Sequence, residues 1–377
     1  MKVFFATDIH GSEICWRKFL NSAAFYKADM VILGGDVTGK VMVPIVSSTP
    51  GHWEVTFGGQ RVKLDTNAEL EEIKRKIRDR GYYPAVMSID ELDSLNEADG
   101  SVDRRFTQEM TKGLEMWLDM ADSKLRGGEI PCILNGGNDD IWEIDDIIER
   151  SPSVSFAESK VMDIGGFYLA SMGWTNPTPW NTFREAPEDV LATKIDAVVS
   201  SIPDMSKAIF NFHAPPYGTG LDEAPALDDN MRPVLGGAVM KPVGSTAVKE
   251  SILKYQPILS VHGHIHESKG VTRLGRTLTM NPGSSYTDGV LQGAVLELNE
   301  KKGKVTRYIL VNGLRRRWGL LHPAWVSIRP TWPTTLPTGP QSPILALDEP
   351  KRLQMSHSIF LSLPQCLKSP HNAVETA

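Results

Sequence analysis

The stretch Ser260–Glu267, SVHGHIHE, constrains this chain more than any other. An apolar run, ILSV, ends in three histidines at alternate positions, His262, His264 and His266. A buried strand that delivers imidazoles from its carboxyl end is well suited to hold a metal ion. The alternative is a polar strand end that happens to contain histidines. Carboxylates and further ligands elsewhere in the chain must decide between the two.

The composition is that of a soluble globular protein. The chain has 377 residues, 41% hydrophobic and 23% charged, which is enough for one large or two ordinary domains. A net charge of -6 gives no electrostatic reason to expect nucleic acid or an anionic membrane as a partner. The three cysteines form no C-x-x-C pair, and no run approaches the roughly 18 apolar residues of a spanning helix. We therefore expect a cytoplasmic protein without a membrane partner, and the start MKVFFATDIHG is not typical of a signal peptide.

The hydrophobic pattern predicts a core that mixes strands and helices. Apolar strands at Val3–Ala6 and Met30–Leu33 flank a helix that follows Ser12, which is the pattern of a βαβ unit with parallel strands. Similar strands are predicted at Pro131–Leu134 and Ala208–Phe212. The last predicted strands, which we expect to finish one mostly antiparallel sheet, are Thr277–Met280, Gly293–Leu298 and Val305–Val311.

Two parts of the chain depart from this core pattern. Residues 41–126 combine short strands joined by Pro-Gly and Gly-Gly turns with two amphipathic helices, which predicts a cap-like insertion beside the first strands. Residues 314–377 are rich in proline and show little periodicity, so we expect a disordered or loosely packed tail. The core domain is therefore expected to cover residues 1–313.

Polar side chains follow five of the predicted strands at the point where each strand ends. In an open α/β architecture the carboxyl ends of strands meet at one crevice, so we expect these side chains to lie close together. Taken singly, Asp36 reads equally well as a turn residue, Asn138 as a helix cap and His213 as a core histidine. Their common position favours a joint site. The set comprises Asp8, His10, Asp36, Asn138, His213, His264 and His266.

Seven oxygen and nitrogen ligands exceed one ordinary metal site and suit two divalent ions. Imidazole combined with carboxylate and amide oxygen favours Mn, Fe or Zn over Mg or Ca. One shared Asp would bridge two ions about 3.5–4 Å apart, and such a pair clamps a phosphoryl group and activates a bridging hydroxide as the nucleophile. The pattern therefore predicts metal-dependent hydrolysis of phosphate esters.

The ordered motifs D-x-H, G-G-D, G-N-x-D, H-x-P and G-H-x-H resemble those of the calcineurin-like metallophosphoesterase superfamily. Within it, the chain is most similar to predicted phosphoesterases related to bacterial cyclic-nucleotide phosphodiesterases. The resemblance implies an α/β (α+β) fold, a four-layer α/β/β/α metallophosphoesterase sandwich, here with a cap insertion. It assigns the first metal to Asp8, His10 and His266, the second metal to Asn138, His213 and His264, and the bridge between them to Asp36.

The chain departs from that family at Asp139, where most members have a histidine assigned to protonate the leaving oxygen or to contact the phosphate. An anionic carboxylate would repel phosphate unless its pKa were raised, which two adjacent cations would oppose. Proton donation would then fall to water, or be unnecessary for an activated aryl leaving group. The candidate catalytic residues are Asp36, Asn138, Asp139 and His264.

Tyr217, His262 and Asn281 also have expected roles near this site, and Asn138 has a second one. Asn138 and Tyr217 are candidate substrate contacts, Tyr217 because it lies shortly after His213 in the chain. His262 alternates with the predicted ligands, but the family motif does not use it, so we expect it to support the structure. Asn281, which precedes Pro-Gly-Ser, is expected to shape a turn near the site.

The leading hypothesis is a phosphoesterase that acts on small phosphate esters and favours diesters. The missing imidazole removes a donor that a dianionic monoester would need. The alternative is a catalytically weak scaffold that binds protein partners, as the retromer subunit of this fold does, but that hypothesis predicts missing ligands and all seven are present. A metal-dependent nuclease lacks a supporting basic stripe.

Overall fold

The computed structural model describes residues 1–97, 99–125 and 129–313. The predicted Pro-rich tail, residues 314–377, lies outside the described residues. Within the described part of the chain, no helix is both long enough and apolar enough to cross a membrane.

The strands and helices follow the predicted order closely. The strands are β1 (Lys2–Ala6), β2 (Met30–Leu33), β3 (Val41–Thr49), β4 (His52–Phe57), β5 (Gln60–Leu64), β6 (Tyr82–Ser88), β7 (Cys132–Leu134), β8 (Val154–Phe156), β9 (Val161–Asp163), β10 (Tyr168–Met172), β11 (Ala208–Phe212), β12 (Glu223–Pro225), β13 (Met240–Pro242), β14 (Leu259–Val261), β15 (Gly270–Leu274), β16 (Thr277–Asn281), β17 (Leu291–Asn299) and β18 (Lys304–Gly313). The α-helices are α1 (Glu13–Tyr26), α2 (Asn67–Asp79), α3 (Ile89–Glu97), α4 (Ser101–Lys124), α5 (Glu143–Glu149), α6 (Glu188–Val199) and α7 (Thr246–Tyr255).

Two six-stranded sheets form the core. The first has the order β18-β17-β1-β2-β7-β8 and the second has the order β15-β16-β14-β11-β10-β9. In the first sheet β1, β2, β7 and β8 run parallel, and in the second β10, β11, β14 and β16 do. The carboxyl ends of the parallel strands therefore lie at one edge of each sheet.

The prediction that the last strands finish a single sheet was wrong. Strand β16 pairs parallel with β14 in the second sheet, whereas β17 pairs antiparallel with β1 in the first. The chain therefore crosses from one sheet to the other between Asn281 and Leu291. Alternating hydrophobicity identifies a strand and its buried face, but it does not identify the strand with which it pairs.

Apolar side chains bind the two sheets face to face. Phe5 and Ile32 of the first sheet share one buried cluster with Ile209, Val261 and other residues of the second. Because parallel strands with both faces covered are buried throughout, these strands are nearly continuous in apolar residues. The region between the sheets is the central layer of the core.

Helices cover the outer face of each sheet. On the first sheet, Trp16 of α1 and Trp117 of α4 stack with ring centroids 5.1 Å apart, and the Trp16 indole N–H donates to the Trp117 carbonyl. On the second sheet, Leu191 of α6 and Ile252 of α7 pack against β10 and β11 residues such as Phe210. The result is the predicted four-layer α/β/β/α sandwich, so the fold prediction is confirmed.

The segment 41–126 contributes to two parts of the molecule. Strands β3 to β6 form a separate four-stranded sheet in the order β5-β4-β3-β6, and α2 packs on it through Ile73 and Ile77. The predicted capping box between Thr66 and Glu69 opens α2. Helix α4 instead packs with α1 on the first core sheet. Strand β6 and helix α3 were not predicted.

Candidate metal centre

The parallel strands bring all of the predicted strand-end residues to one end of the sandwich. Asp8 and His10 follow β1, and Asp36 follows β2. His213 follows β11, and His264 and His266 follow β14 in the loop after it. Since β1 and β2 belong to one sheet and β11 and β14 to the other, the residues meet where the carboxyl ends of the two sheets come together.

Asp8, His10 and His266 form the first group. One ligand atom from each of them lies within 4.8 Å of the other two. The His10 Nε2 and His266 Nε2 atoms are 3.0 Å apart, and the His266 Nε2 atom lies 3.4 Å from Asp8 Oδ1. Two imidazole nitrogens and a carboxylate oxygen therefore converge on one small volume, as the ligands of a divalent ion do.

Asp36, His213 and His264 form the second group, and again one ligand atom of each residue lies within 4.8 Å of the other two. The His213 Nε2 atom lies 3.3 Å from Asp36 Oδ2. On the other side of the ring, the His213 Nδ1 atom lies 3.1 Å from the Gly34 carbonyl oxygen, to which it donates. This hydrogen bond orients the ring so that Nε2 faces the cluster, where a metal ion could displace its proton.

Asp36 lies between the two groups. Its Oδ2 atom is 3.4 Å from His10 Nε2 of the first group and 3.3 Å from His213 Nε2 of the second. Of the cluster carboxylates, Asp8 also spans the groups, more loosely, at 3.7 Å from His213 Nε2. The geometry of Asp36 is that of a carboxylate able to serve two ions at once.

Asn138, in the loop after β7, has an unsatisfied side-chain oxygen. Its Nδ2 donates to Thr182 Oγ1 at 2.8 Å, while its Oδ1 is buried and has no hydrogen-bond partner among the described residues. A buried carbonyl oxygen without a partner costs about 1–3 kcal/mol. A cation bound by that oxygen would remove the cost, so the donor set fits a divalent metal.

The backbone at the cluster is held in unusual conformations. Asp8, His10, Asp36 and His264 all have positive φ angles, of 53°, 38°, 51° and 67°. Such angles are uncommon outside glycine and often mark functional sites, where the surrounding fold maintains them. All four residues lie in the loops that follow β1, β2 and β14. Gly137 is required beside them, because a Cβ atom at that position would overlap the Asp36 carboxylate.

Burial and mutual attraction shift the pKa values in opposite directions across the cluster. Burial raises the pKa of Asp36 to about 7, although the neighbouring His213 opposes the shift. Burial alone would lower the pKa of His213, but the Asp36 and Asp8 carboxylates outweigh it and raise that pKa to about 10. Without metal, the cluster therefore holds protons that divalent ions would displace on binding.

Asp139 is ionised and paired. Its carboxylate forms an ion pair with Lys40, and its backbone N–H donates to Asp36 Oδ1 at 3.0 Å. Burial acts to raise the pKa of Asp139, but the charges of Lys40 and His10 outweigh burial and hold that pKa well below its usual range. Asp139 also forms a third possible ligand group with His10 and Asp36.

Several residues that support the cluster were not found from the sequence. Asp140 accepts hydrogen bonds from the Val37, Thr38 and Gly137 backbone N–H groups, which ties the loop after β2 to the loop after β7. Tyr286 packs its ring 4.8 Å from the ring of His10. Only Asp140 carried a local signal, as the second acidic residue of G-N-D-D.

The other expected residues have distinct surroundings. His262 is fully buried; its Nδ1 atom lies 2.7 Å from the Phe212 carbonyl oxygen and its Nε2 atom 2.9 Å from Ser260 Oγ, which is the supporting role that we expected. Tyr217 is 40% exposed, and its ring lies beneath the Lys249 ammonium. Its role as a substrate contact stays a prediction.

Asn281 holds the loop that carries His264. Its Nδ2 donates to the Gly263 carbonyl at 3.2 Å and to the Ile265 carbonyl at 2.9 Å, and its Oδ1 accepts from the Gly283 N–H. Asn281→Ala should leave buried carbonyls unsatisfied and cost about 1–3 kcal/mol of unfolding free energy. We also expect about 10- to 100-fold weaker metal binding, the usual cost of removing support from a ligand. Urea unfolding and metal titration would measure both effects; an unchanged metal affinity would show that His264 does not need this support.

A cavity of about 280 Å³ lies beside the cluster rather than at it. Gly11, Val37 and Thr38 line one side, and Arg78 of α2 and Trp117 of α4 lie among its other walls. None of the seven predicted metal ligands lines it. The candidate site is therefore identified by its metal-ligating side chains, and not by the position of this cavity.

The protein is a four-layer α/β/β/α sandwich with a candidate metal centre of buried Asp and His side chains at one end of both sheets. No family model matches the chain. An uncharacterised protein of Methanocaldococcus jannaschii is 31% identical over 157 residues, which cover 41% of this chain and 63% of that protein. The match therefore spans less than two thirds of the relative's length.

Three solved structures resemble the protein remotely. A novel archaeal phosphodiesterase has 12% identity and a TM-score of 0.31, covering 82% of this chain and 100% of its own. A phosphatase from Mycoplasma pneumoniae has 12% identity and a TM-score of 0.38, covering 83% and 92%. A phosphoesterase from E. coli has 14% identity and a TM-score of 0.29, covering 82% and 98%. At these TM-scores the functional proposal must rest on the residues of the cluster.

Proposed function

We propose that the protein hydrolyses phosphate esters with two divalent metal ions bound in this cluster, and that it prefers phosphodiesters to phosphomonoesters. The observation that supports this most is the position of Asp36, whose Oδ2 lies 3.4 Å and 3.3 Å from one imidazole nitrogen of each ligand group. Two groups that share a carboxylate fit two neighbouring ions better than one.

The residues divide between the ions as follows. Asp8, His10 and His266 hold the first ion, and Asp36 is shared. Asn138, His213 and His264 hold the second, with Asn138 binding through the Oδ1 atom that otherwise has no partner. Nitrogen-rich ligands of this type favour Mn, Fe or Zn.

Bound divalent ions supply Lewis acidity to a phosphoryl oxygen and lower the pKa of a coordinated water toward neutrality. The chain's own residues keep the ligands in place for this chemistry. The His264 backbone N–H donates to Asp8 Oδ1 at 3.0 Å, and the Gly34 carbonyl orients His213. Thr182 fixes the orientation of the Asn138 amide. These contacts preorganise the cluster, so that little reorganisation is needed during the reaction.

The proposed preference for diesters rests on the donors beside the cluster, because two divalent ions would more than balance the charge of its carboxylates. Asp8, Asp36 and Asp139 contribute three carboxylates, and the pairing of Asp139 with Lys40 adds no net charge. A diester carries one negative charge and a monoester carries up to two near neutral pH. A monoester dianion would need a further donor, and the carboxylate of Asp139 stands where a histidine donor would serve in the resembling family.

The purified chain loaded with Mn²⁺ is expected to hydrolyse bis-p-nitrophenyl phosphate with a kcat/KM roughly tenfold or more above that for p-nitrophenyl phosphate, a difference of about 1.4 kcal/mol. Release of p-nitrophenolate measures both rates. Removal of the metal with a chelator should abolish turnover, and readdition should restore it. Absence of turnover with Mn²⁺, Fe²⁺, Zn²⁺ and Ni²⁺ would exclude the hydrolase, and a faster monoester reaction would exclude only the diester preference.

A further inference from the structure

Lys40 brings a positive charge to the cluster that no predicted motif includes. It lies directly before β3, at the base of the segment 41–126, and its ammonium forms the ion pair with Asp139. The Asp139 side chain is only 13% exposed, whereas that of Lys40 is 38% exposed. The pair therefore lies at the cluster, with the Asp139 side chain mostly buried and the Lys40 side chain partly exposed.

The backbone that carries Lys40 is fixed from two directions. The Thr38 N–H and hydroxyl both donate to Asp140 Oδ1, at 2.8 Å and 2.6 Å. The Gly39 N–H donates to the Tyr83 hydroxyl of β6 at 3.0 Å. Since Asp140 also holds the loop that presents Asp139, the two partners of the ion pair are positioned by one network. These hydrogen bonds therefore fix the backbone position from which the Lys40 side chain extends to the cluster.

The pairing leaves donors for a ligand. A lysine ammonium has three N–H donors, and the ion pair with Asp139 needs only one of them. The backbone N–H of Asp139 donates to Asp36, the carboxylate shared by the two ligand groups. Asp139 therefore connects the Lys40 ammonium to Asp36. A pair with side chains 38% and 13% exposed contributes little to the stability of the fold, and it lies beside the ligand group formed by His10, Asp36 and Asp139.

We propose that Lys40 binds the phosphoryl group of the substrate through its ammonium, and that Asp139 positions Lys40 for this contact. The inference rests on the proposed function for the identity of the ligand as a phosphate ester. Lys40 would supply one cationic donor beside Asp139, which stands where most members of the resembling family have histidine, and a single donor suits the single charge of a diester. Asp139 would then be a positioning residue, while Lys40 touches the substrate.

The test uses the full Mn²⁺-loaded chain, inorganic phosphate as the binding probe and bis-p-nitrophenyl phosphate as the substrate. Calorimetry should show that Lys40→Met binds phosphate about 10- to 100-fold more weakly, the usual effect of losing a hydrogen bond from a charged donor. Lys40→Arg keeps the charge and should recover most of the affinity. Bound Mn²⁺, counted by mass spectrometry, should be the same in all three proteins.

Two further variants separate the roles of the pair. Asp139→Asn should raise KM less than Lys40→Met does, because Lys40 keeps its charge and loses only the ion pair that positions it. The double variant should be no worse than Lys40→Met, since Asp139 acts only through Lys40. Lys63→Met is the matched control, because Lys63 lies on β5 with its side chain exposed, and it should leave phosphate affinity unchanged.

The outcomes distinguish this inference from the proposed function. If the wild type hydrolyses the diester and Lys40→Met retains its phosphate affinity and KM, only the role of Lys40 is refuted. The role is also refuted if Lys40→Met loses bound Mn²⁺, because Lys40 would then support the metal ligands. If Lys40→Met loses phosphate affinity in a protein that hydrolyses no ester, the contact is supported and the hydrolase is not.

Discussion

Asp36→Ala is expected to remove both metal ions from the protein and to lower the turnover of bis-p-nitrophenyl phosphate by about 10³-fold or more. The expected loss is this large because bound ions contribute several kcal/mol to the stability of a phosphoryl-transfer transition state, and each 1.36 kcal/mol changes the rate tenfold. Asp36 is the carboxylate nearest to ligands of both groups, so its removal weakens both sites together. Metal counting by mass spectrometry and steady-state kinetics measure the two effects.

Thermal unfolding gives an independent measure of the same change. A ligand that binds only the folded state raises Tm, so Mn²⁺ should raise the Tm of the wild type and not that of Asp36→Ala. Asp196→Ala is a suitable control, because Asp196 is an exposed carboxylate on α6 that pairs with Lys254. It should keep the metal ions and the Tm shift. Retention of two ions by Asp36→Ala would refute the shared carboxylate.

The candidate ligands could be predicted because each follows a strand that has a clear local signal. Apolar runs such as those before Asp8 and Asp36 identify buried strands, and parallel strands must end at the same edge. The conclusion did not require knowledge of which strands pair. The prediction of the ligands therefore did not depend on the pairing of β16 and β17, which were expected in one sheet and belong to two.

Residues that act across long distances in the sequence could not be predicted. Lys40 is a single lysine in a Gly-Lys-Val stretch, and its partner Asp139 is nearly a hundred positions later. Tyr286 contacts His10 although it lies more than 270 positions later in the chain. Such contacts depend on how the loops fold over the sheet ends, which neither the hydrophobic periodicity nor the motif spacing predicts. The same limit applies to α4, whose amphipathic pattern does not reveal that it packs on the core sheet.

Arg184 is the clearest case of a supporting residue that no sequence pattern reveals. Its side chain is completely buried and donates hydrogen bonds to the Asp140 carbonyl and to Asp145 Oδ1, and its guanidinium lies 4.4 Å from the centre of the Trp142 ring. Its backbone N–H also donates to the Asn138 carbonyl at 3.2 Å. Arg184 therefore joins the loop that contains Thr182 to the loop that presents Asn138 and Asp139.

Arg184→Met is expected to lower the free energy of unfolding by about 3–5 kcal/mol, because it leaves buried acceptors and a carboxylate without their partner. Asp145→Asn should cost much less, since Asp145 is 28% exposed and Arg184 keeps its carbonyl acceptors. Arg184→Lys should not restore stability, because an ammonium cannot reproduce the planar fork or the stacking on Trp142. Urea unfolding of the three variants, each without added metal, measures these differences.

The decrease in unfolding free energy caused by Arg184→Met should also depend on pH, because Arg184 affects the pKa of Glu158. Burial raises the pKa of Glu158 to about 7, above the 4.5 of an unperturbed glutamate, and the charge of Arg184 opposes that rise. A carboxyl group whose pKa is higher in the folded state binds protons more tightly there, so stability falls as pH increases from about 4.5 through the folded pKa. Without Arg184 that pKa rises further and the fall continues to higher pH. Arg184→Met should therefore be more destabilising at pH 8 than at pH 5. An equal decrease in unfolding free energy at both pH values would show that the guanidinium charge does not change the pKa of Glu158.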